Sequence, residues 1–209
     1  MCMFTFVKNQ KNKQQAFTLV ETLVAISVLL IAVVAPLTTI SEGVLTANIA
    51  KDQVTAQYLA QEGVEIVRLI RDTNILNGNS WLSSTGTNSN PNFFNCVSTT
   101  PGSPSYCNLS PMSPLTNPST SACTDPADSS TCSPLNLFDR APNGAKTYAY
   151  GANGSGNVMG NWSVTTFKRA ISVVEIIPNQ EAEVTSIVTW TTGSYPRTVT
   201  VKERLFKWN

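Results

Sequence analysis

Residues 17–40, FTLVETLVAISVLLIAVVAPLTTI, are apolar or hydroxyl-bearing at every position except one, Glu21. As a helix rising about 1.5 Å per residue, this stretch spans about 36 Å, more than the roughly 30 Å of a bilayer's hydrocarbon core. It is therefore expected to cross a membrane. Lys8, Lys11 and Lys13 precede it and the next basic residue is Lys51. That asymmetry places the N-terminus in the cytoplasm and everything after Ile40 outside.

A cleaved secretory signal or an uncleaved signal anchor satisfies the same hydropathy. Two details argue against both. Glu21 lies near the cytoplasmic start of the run, where an ionised carboxylate costs free energy unless something pairs with it. In addition, the helical pattern continues past the membrane through VLTANIAKDQVTAQYLAQEGVEIVRLIRDTNIL. There Val54, Tyr58, Leu59, Ile66, Val67 and Ile70 recur at helical spacings among Lys51, Asp52, Gln57, Gln61, Glu62, Glu65 and Arg68. One helix is expected from about Phe17 to about Ile75, membrane-spanning over 17–40 and amphipathic over 41–76. Pro36, lacking a donor and clashing with the preceding turn, is expected to kink or loosen it, helped by Gly43.

The remainder has the composition of an exported protein, with 13% charged residues and a middle crowded with Ser, Thr, Asn, Pro and Gly. The three leader lysines are among fourteen basic residues, so the chain beyond residue 16 carries eleven against thirteen acidic ones, close to neutral. From Asn77 to Pro134 the periodicity vanishes; eight of the twelve prolines fall there, and no Lys or Arg occurs between Arg71 and Arg140. Residues 77–142 are expected to form a long exposed loop pinned by disulfides rather than by a core. Apart from Cys2, the cysteines are Cys96, Cys107, Cys123 and Cys132, an even set within that stretch. Without Cys-x-x-Cys pairs or histidines, two disulfides formed in an oxidising compartment fit better than a metal site. Three pairings are open; Cys96 with Cys107 and Cys123 with Cys132 is favoured because short loops close most readily.

Regular structure is expected to resume over 143–209. Trp162–Ile177 is rich in Val, Ile, Thr and Phe, with Phe167, Ile171 and Val173 sharing a parity, and Pro178-Asn179 marks a turn. Glu183–Thr191 puts Val184, Val188 and Trp190 on one face. Arg197–Leu205 does the same with Val199, Val201 and Leu205, and the two segments suggest an antiparallel hairpin. A weaker strand is expected at Thr147–Tyr150. A sheet with one apolar face and an amphipathic helix can cover each other, which gives an α+β fold.

Enzymatic chemistry finds no foothold. The chain has no histidine, which removes Ser-His and Cys-His catalysis and histidine-ligated metals. Gly151–Gly160, GANGSGNVMG, lacks the strand-to-helix setting of a phosphate loop. Glu62 and Glu65 beside Arg68 read as solvated ion pairs on a helix face. No catalytic residue, cofactor or metal is expected. Arg197, Lys202, Arg204 and Lys207, with Phe206 and Trp208 among them, form the one basic group of note. Cations interleaved with aromatics can stack bases, but charges on an edge strand more often block unwanted pairing. Nucleic acid is not the expected partner.

The sequence FTLVETLVAI after a short lysine-containing leader closely resembles the N-terminus of type IV prepilins and type II secretion pseudopilins. AQYLAQEGVEIVRLIRD followed by Trp81 resembles the helical continuation of their minor subunits. The resemblance implies a pilin-like α+β fold with the long N-terminal helix on a C-terminal antiparallel sheet. It implies removal of residues 1–16 by a prepilin peptidase cutting after Ala16, where the family usually carries Gly, and methylation of the new terminus at Phe17. It also implies a role in assembly for Glu21, the fifth residue of the processed chain. The partners it implies are other pilin or pseudopilin subunits, the inner-membrane assembly platform and membrane lipids, in a pilus or pseudopilus. A tip-located subunit for adhesion or DNA capture is the alternative.

Overall fold

The computed structural model describes residues 18–82, 96–109, 122–123, 132–140, 145–149 and 161–208. The chain divides into two compact units, residues 1–48 and 49–209. One helix, α1 (Leu19–Leu76), supplies most of the first and opens the second. It begins at Thr18, whose hydroxyl accepts from the Glu21 amide at 3.3 Å, as an N-cap does. It is helical through Pro36 and Gly43. It ends because Gly78 adopts φ +71°. There the Asn79 amide donates to the Asn74 carbonyl (2.9 Å) and the Gly78 amide to that of Ile75 (3.0 Å), the paired bonds of a Schellman motif.

In the second unit the described strands are β1 (Val97–Ser98), β2 (Tyr106–Cys107), β3 (Ala122–Cys123), β4 (Pro134–Arg140), β5 (Ala145–Ala149), β6 (Asn161–Ile177), β7 (Glu181–Thr192) and β8 (Tyr195–Phe206). They form one sheet centred on β6. On one side β6 pairs with β7, which pairs with β8; on the other it meets β4, then β5, along its first half and β2 and β1 along its second. All pairings are antiparallel except that of β1 with β6. Gly193 supplies the positive φ (65°) that the tight β7–β8 turn requires. Pro196, which cannot donate to a ladder, is tolerated because β8 is an edge.

The strand parities expected from the sequence are those observed. Phe167, Ile171 and Val173 on β6, Val184, Val188 and Trp190 on β7, and Leu205 on β8 are buried on the face that meets α1. The helix contributes Ala56, Leu59, Ala60, Val64, Ile66, Val67 and Ile70. The buried stripe differs from the expected one at two positions, since Val54 is 55% exposed and Tyr58 68%. At about 100° per residue, Val54 lies half a turn around the helix from Gly63, at the centre of the stripe. Small residues at 56, 60 and 63 take that centre, and they let the helix axis approach the sheet. At Gly63 the approach is so close that an added Cβ would lie 2.5 Å from Ser186 Oγ and 3.1 Å from Ile171 Cδ1.

The expectation of an exposed loop over 77–142 is corrected for its described parts. Trp81, Leu82, Cys96, Cys107 and Leu109 are buried in the main core cluster, and Cys123 and Cys132 pack around Ala170. β1, β2 and β3 extend the sheet from within this stretch, and β4 forms an internal strand of it. Two-residue strands carry no periodicity to read. What recruits them is the unfilled flank of β6, where Cys107 pairs with Ile171 and the Val173 amide donates to the Cys96 carbonyl at 2.9 Å.

Candidate functional site

The residues expected to matter most lie at the start of α1. Ala16 and Phe17 fall outside the described residues. Glu21 sits in the first turn of the helix, exposed, and among the described residues its carboxylate has no ion-pair partner. Around it the Thr22 hydroxyl donates to the Leu19 carbonyl (2.9 Å) and that of Ser27 to the Val24 carbonyl (2.8 Å), so these side chains satisfy themselves within the helix. The apolar side chains beyond are bare: Leu23, Val24, Ile26, Val28, Leu29, Leu30, Ile31, Val33 and Val34 are all more than half exposed. The most apolar 18-residue window of α1 has a mean hydropathy of 2.6 and buries nothing. By length and composition α1 suffices to cross a bilayer. Carried into an apolar surrounding, a carboxylate on such a surface must either meet a cation or take up a proton. The surface thus has the apolar composition to lie in lipid or against other apolar helices, with Glu21 the acidic residue of its first turn.

The four cysteines expected to pair do so as Cys96–Cys107 and Cys123–Cys132, with Cα separations of 5.0 and 4.8 Å. The first bond lies in the main core and holds Leu109 against the centre of the domain. There the structure holds a feature the sequence reading missed. Arg169, on the apolar face of β6, is wholly buried. Its guanidinium donates from Nη1 to the Leu59 carbonyl (3.0 Å) and Glu62 Oε2 (2.6 Å), and from Nη2 to the Leu109 carbonyl (2.8 Å). Glu62 is thus not a freely solvated helix-face carboxylate but the counter-ion of a buried cation. The available signal was parity, because Arg169 falls between Phe167 and Ile171 and shares the parity of Phe167, Ile171 and Val173, which face the core. Glu65 and Arg68 pair as expected, and Arg68 also pairs with Glu203, tying the helix to β8.

Two of the four residues of the C-terminal basic group are paired with carboxylates. Lys202 pairs with Glu183 at 3.1 Å, Arg204 with Glu181, and the Lys207 ammonium meets Asn179 Oδ1 at 3.4 Å. Trp208 donates from Nε1 to Asp72 Oδ1 at 3.1 Å, fastening the end of the chain to the last turns of α1. Burial disfavours the charged form of Asp72, but the bonds from Arg71 and Trp208 outweigh it and hold its pKa below the usual carboxylate value. This arrangement matches an edge strand carrying cross-strand ion pairs rather than a positive face for a polyanion.

Among known families, residues 11–35 match the one described as the prokaryotic N-terminal methylation motif. No curated protein and no solved structure matches the chain.

Proposed function

We propose, from the premise that this chain is a prepilin-type protein by the N-terminal methylation motif it carries, that it is a structural subunit of a type IV pilus or type II secretion pseudopilus. The resemblance of AQYLAQEGVEIVRLIRD and Trp81 to the helical continuation of minor subunits favours a minor subunit over the main building block. Before assembly it is a single-pass protein of the cytoplasmic membrane with residues 49–209 outside. A prepilin peptidase removes residues 1–16 and Phe17 becomes the methylated terminus. The assembly platform then transfers α1 from lipid to a bundle of neighbouring helices, exchanging one apolar surrounding for another at little cost in hydrophobic free energy.

The observation that carries this reading is the bare apolar half of α1 with one carboxylate in its first turn, within the matched motif. After cleavage the α-amine of Phe17 stands at the positive end of the helix dipole, where a cation is disfavoured. Glu21 of an adjacent subunit offsets both that repulsion and the desolvation of several kcal/mol per ion. The pair then sets the register of one subunit on the next. Intact mass of the chain extracted from membranes of a host with active prepilin peptidase tests the reading. The expected species begins at a methylated Phe17. Recovery of only the unprocessed chain from such a host refutes it.

A further inference from the structure

We propose that Tyr58 is the platform of a binding site for a neutral oligosaccharide, a role that does not rest on assembly into a fibre. Tyr58 is the one aromatic residue of α1 and is 68% exposed, although Ala56, Leu59 and Ala60 beside it are core. Two clefts meet at its ring. The first, of about 420 Å³, lies between α1 and β5 and is lined by Tyr58, Leu59 and Glu62 on the helix and by Lys146, Thr147 and Tyr148 on the strand. The second, of about 330 Å³, is lined by Val54, Gln57, Tyr58 and Gln61. Residues three and four apart are neighbours on a helix surface, so 54, 57, 58 and 61 form one patch, 58, 59 and 62 the next, and Tyr58 belongs to both. Each volume falls within the roughly 300–1,000 Å³ of small-molecule sites.

The lining selects the ligand. A phenol ring bordered by two clefts offers an apolar surface, and the C–H faces of sugar rings are the complement of such a surface. Hydrogen-bonding groups surround it. The carboxamides of Gln57 and Gln61 are exposed, and each both donates and accepts. The Glu62 carboxylate is held by Arg169 at 2.6 Å, yet its side chain is still 36% exposed and can accept from a ligand hydroxyl. The Tyr148 ring is set edge-on against Phe167, with centroids 6.0 Å apart. Burial, and then the Asp52 carboxylate, raise the pKa of its phenol, which therefore remains a donor at neutral pH. Charge argues against an acidic or a basic ligand. Glu62 and Lys146 carry opposite signs in the first cleft, and the described lining of the second has no charged residue. Two clefts astride one ring favour at least two linked sugars over a single one. A docked protein is the less suitable occupant, because the exposed positions 57, 61 and 65 of this face are Gln, Gln and Glu.

The test titrates the mature full-length chain, isotope-labelled and held in phosphocholine micelles so that no detergent sugar competes. The probes are cellobiose, glucose, digalacturonate and the glucosamine disaccharide, the last two carrying negative and positive charge. The readouts are the ring resonances of Tyr58, identified by their loss in Tyr58→Ala, and the amides of 54–62 and 146–148. Cellobiose is expected to shift these resonances saturably at millimolar concentration and to bind more tightly than glucose. Tyr58→Ala is expected to weaken it about tenfold, or about 1.4 kcal/mol, read at the amides. Tyr58→Phe, which keeps the ring, is expected to retain most of the affinity, and Gln61→Ala to lower it. Neither residue is in the core, and an unchanged indole resonance of the buried Trp81 shows that the variants remain folded. Resonances that ignore cellobiose, that respond equally to glucose or to the charged disaccharides, or that respond to cellobiose equally after Tyr58→Ala would each overturn the proposal. So would resonances that move only with protein concentration, as a contact between copies would make them.

Discussion

Replacing Glu62 with Ala tests how the second unit balances the one fully buried charge among its described residues. Arg169 has no exposure, and its guanidinium is met by the Glu62 carboxylate at 2.6 Å and by the carbonyls of Leu59 and Leu109. Deleting one partner of a fully buried ion pair costs about 3–5 kcal/mol, most of it the penalty of leaving the other charge unpaired. Two features reduce that figure here. The Glu62 side chain is 36% exposed, so solvent already screens the pair, and the two carbonyls continue to solvate the cation. The expected loss is therefore about 2–3 kcal/mol. For a unit of this size that corresponds to a fall of about 5–10 °C in Tm, read by near-UV circular dichroism of the full chain in detergent. Arg169→Met removes the charge and fills its place with an apolar chain, so in that background Glu62→Ala should cost little. The cycle should show a coupling of at least about 1 kcal/mol. A Tm for Glu62→Ala within about a degree of the parent, or single effects that add within about 0.5 kcal/mol, would refute the reasoning.

Glu21→Ala is expected to leave membrane insertion and the fold of the outer unit intact but to lower incorporation into sheared filaments strongly. A broken buried pair of about 3–5 kcal/mol corresponds to roughly a thousandfold in an assembly equilibrium, and equal incorporation at matched membrane levels would contradict the pairing. Gly63→Ala is expected to destabilise by about 1–3 kcal/mol through overpacking against Ser186 and Ile171, with partial rescue by Ser186→Ala in the same melting assay. Exchanging Cys96 and Cys107 together for Ala is expected to cost about 2–4 kcal/mol and to expose the Leu109 segment to hydrogen exchange; unchanged protection there would count against the bond's role in seating it. Asp72 has a pKa depressed below its ordinary 3.8, so its contribution to stability is complete above that value and is lost as pH falls through the lower, folded-state value. Asp72→Asn should therefore show a smaller drop in Tm on acidification below 3.8, and an identical acid profile would argue that the bonds to Arg71 and Trp208 do not hold in solution.

The elements that repeat over many residues were legible in the sequence. The apolar run, its lone Glu21 and the FTLVETL pattern fixed the existence of α1 and its resemblance, because a membrane-length helix needs nothing beyond its own composition to be recognised. The alternation in β6, β7 and β8 gave both their type and the face each buries, since period 2 is a property of the strand itself. Tertiary structure alone decided the rest. Val97–Ser98, Tyr106–Cys107 and Ala122–Cys123 are too short to carry a period, and they become strands beside the open flank of β6 with the two disulfides holding them there. The buried stripe of α1 runs through Ala56, Ala60 and Gly63 rather than Val54 and Tyr58, because the approach of helix to sheet rewards small size over hydrophobicity. Arg169 was invisible as a core residue for a similar reason: the carboxylate and the two carbonyls that make its burial tolerable come from positions 62, 59 and 109, which only the fold brings together.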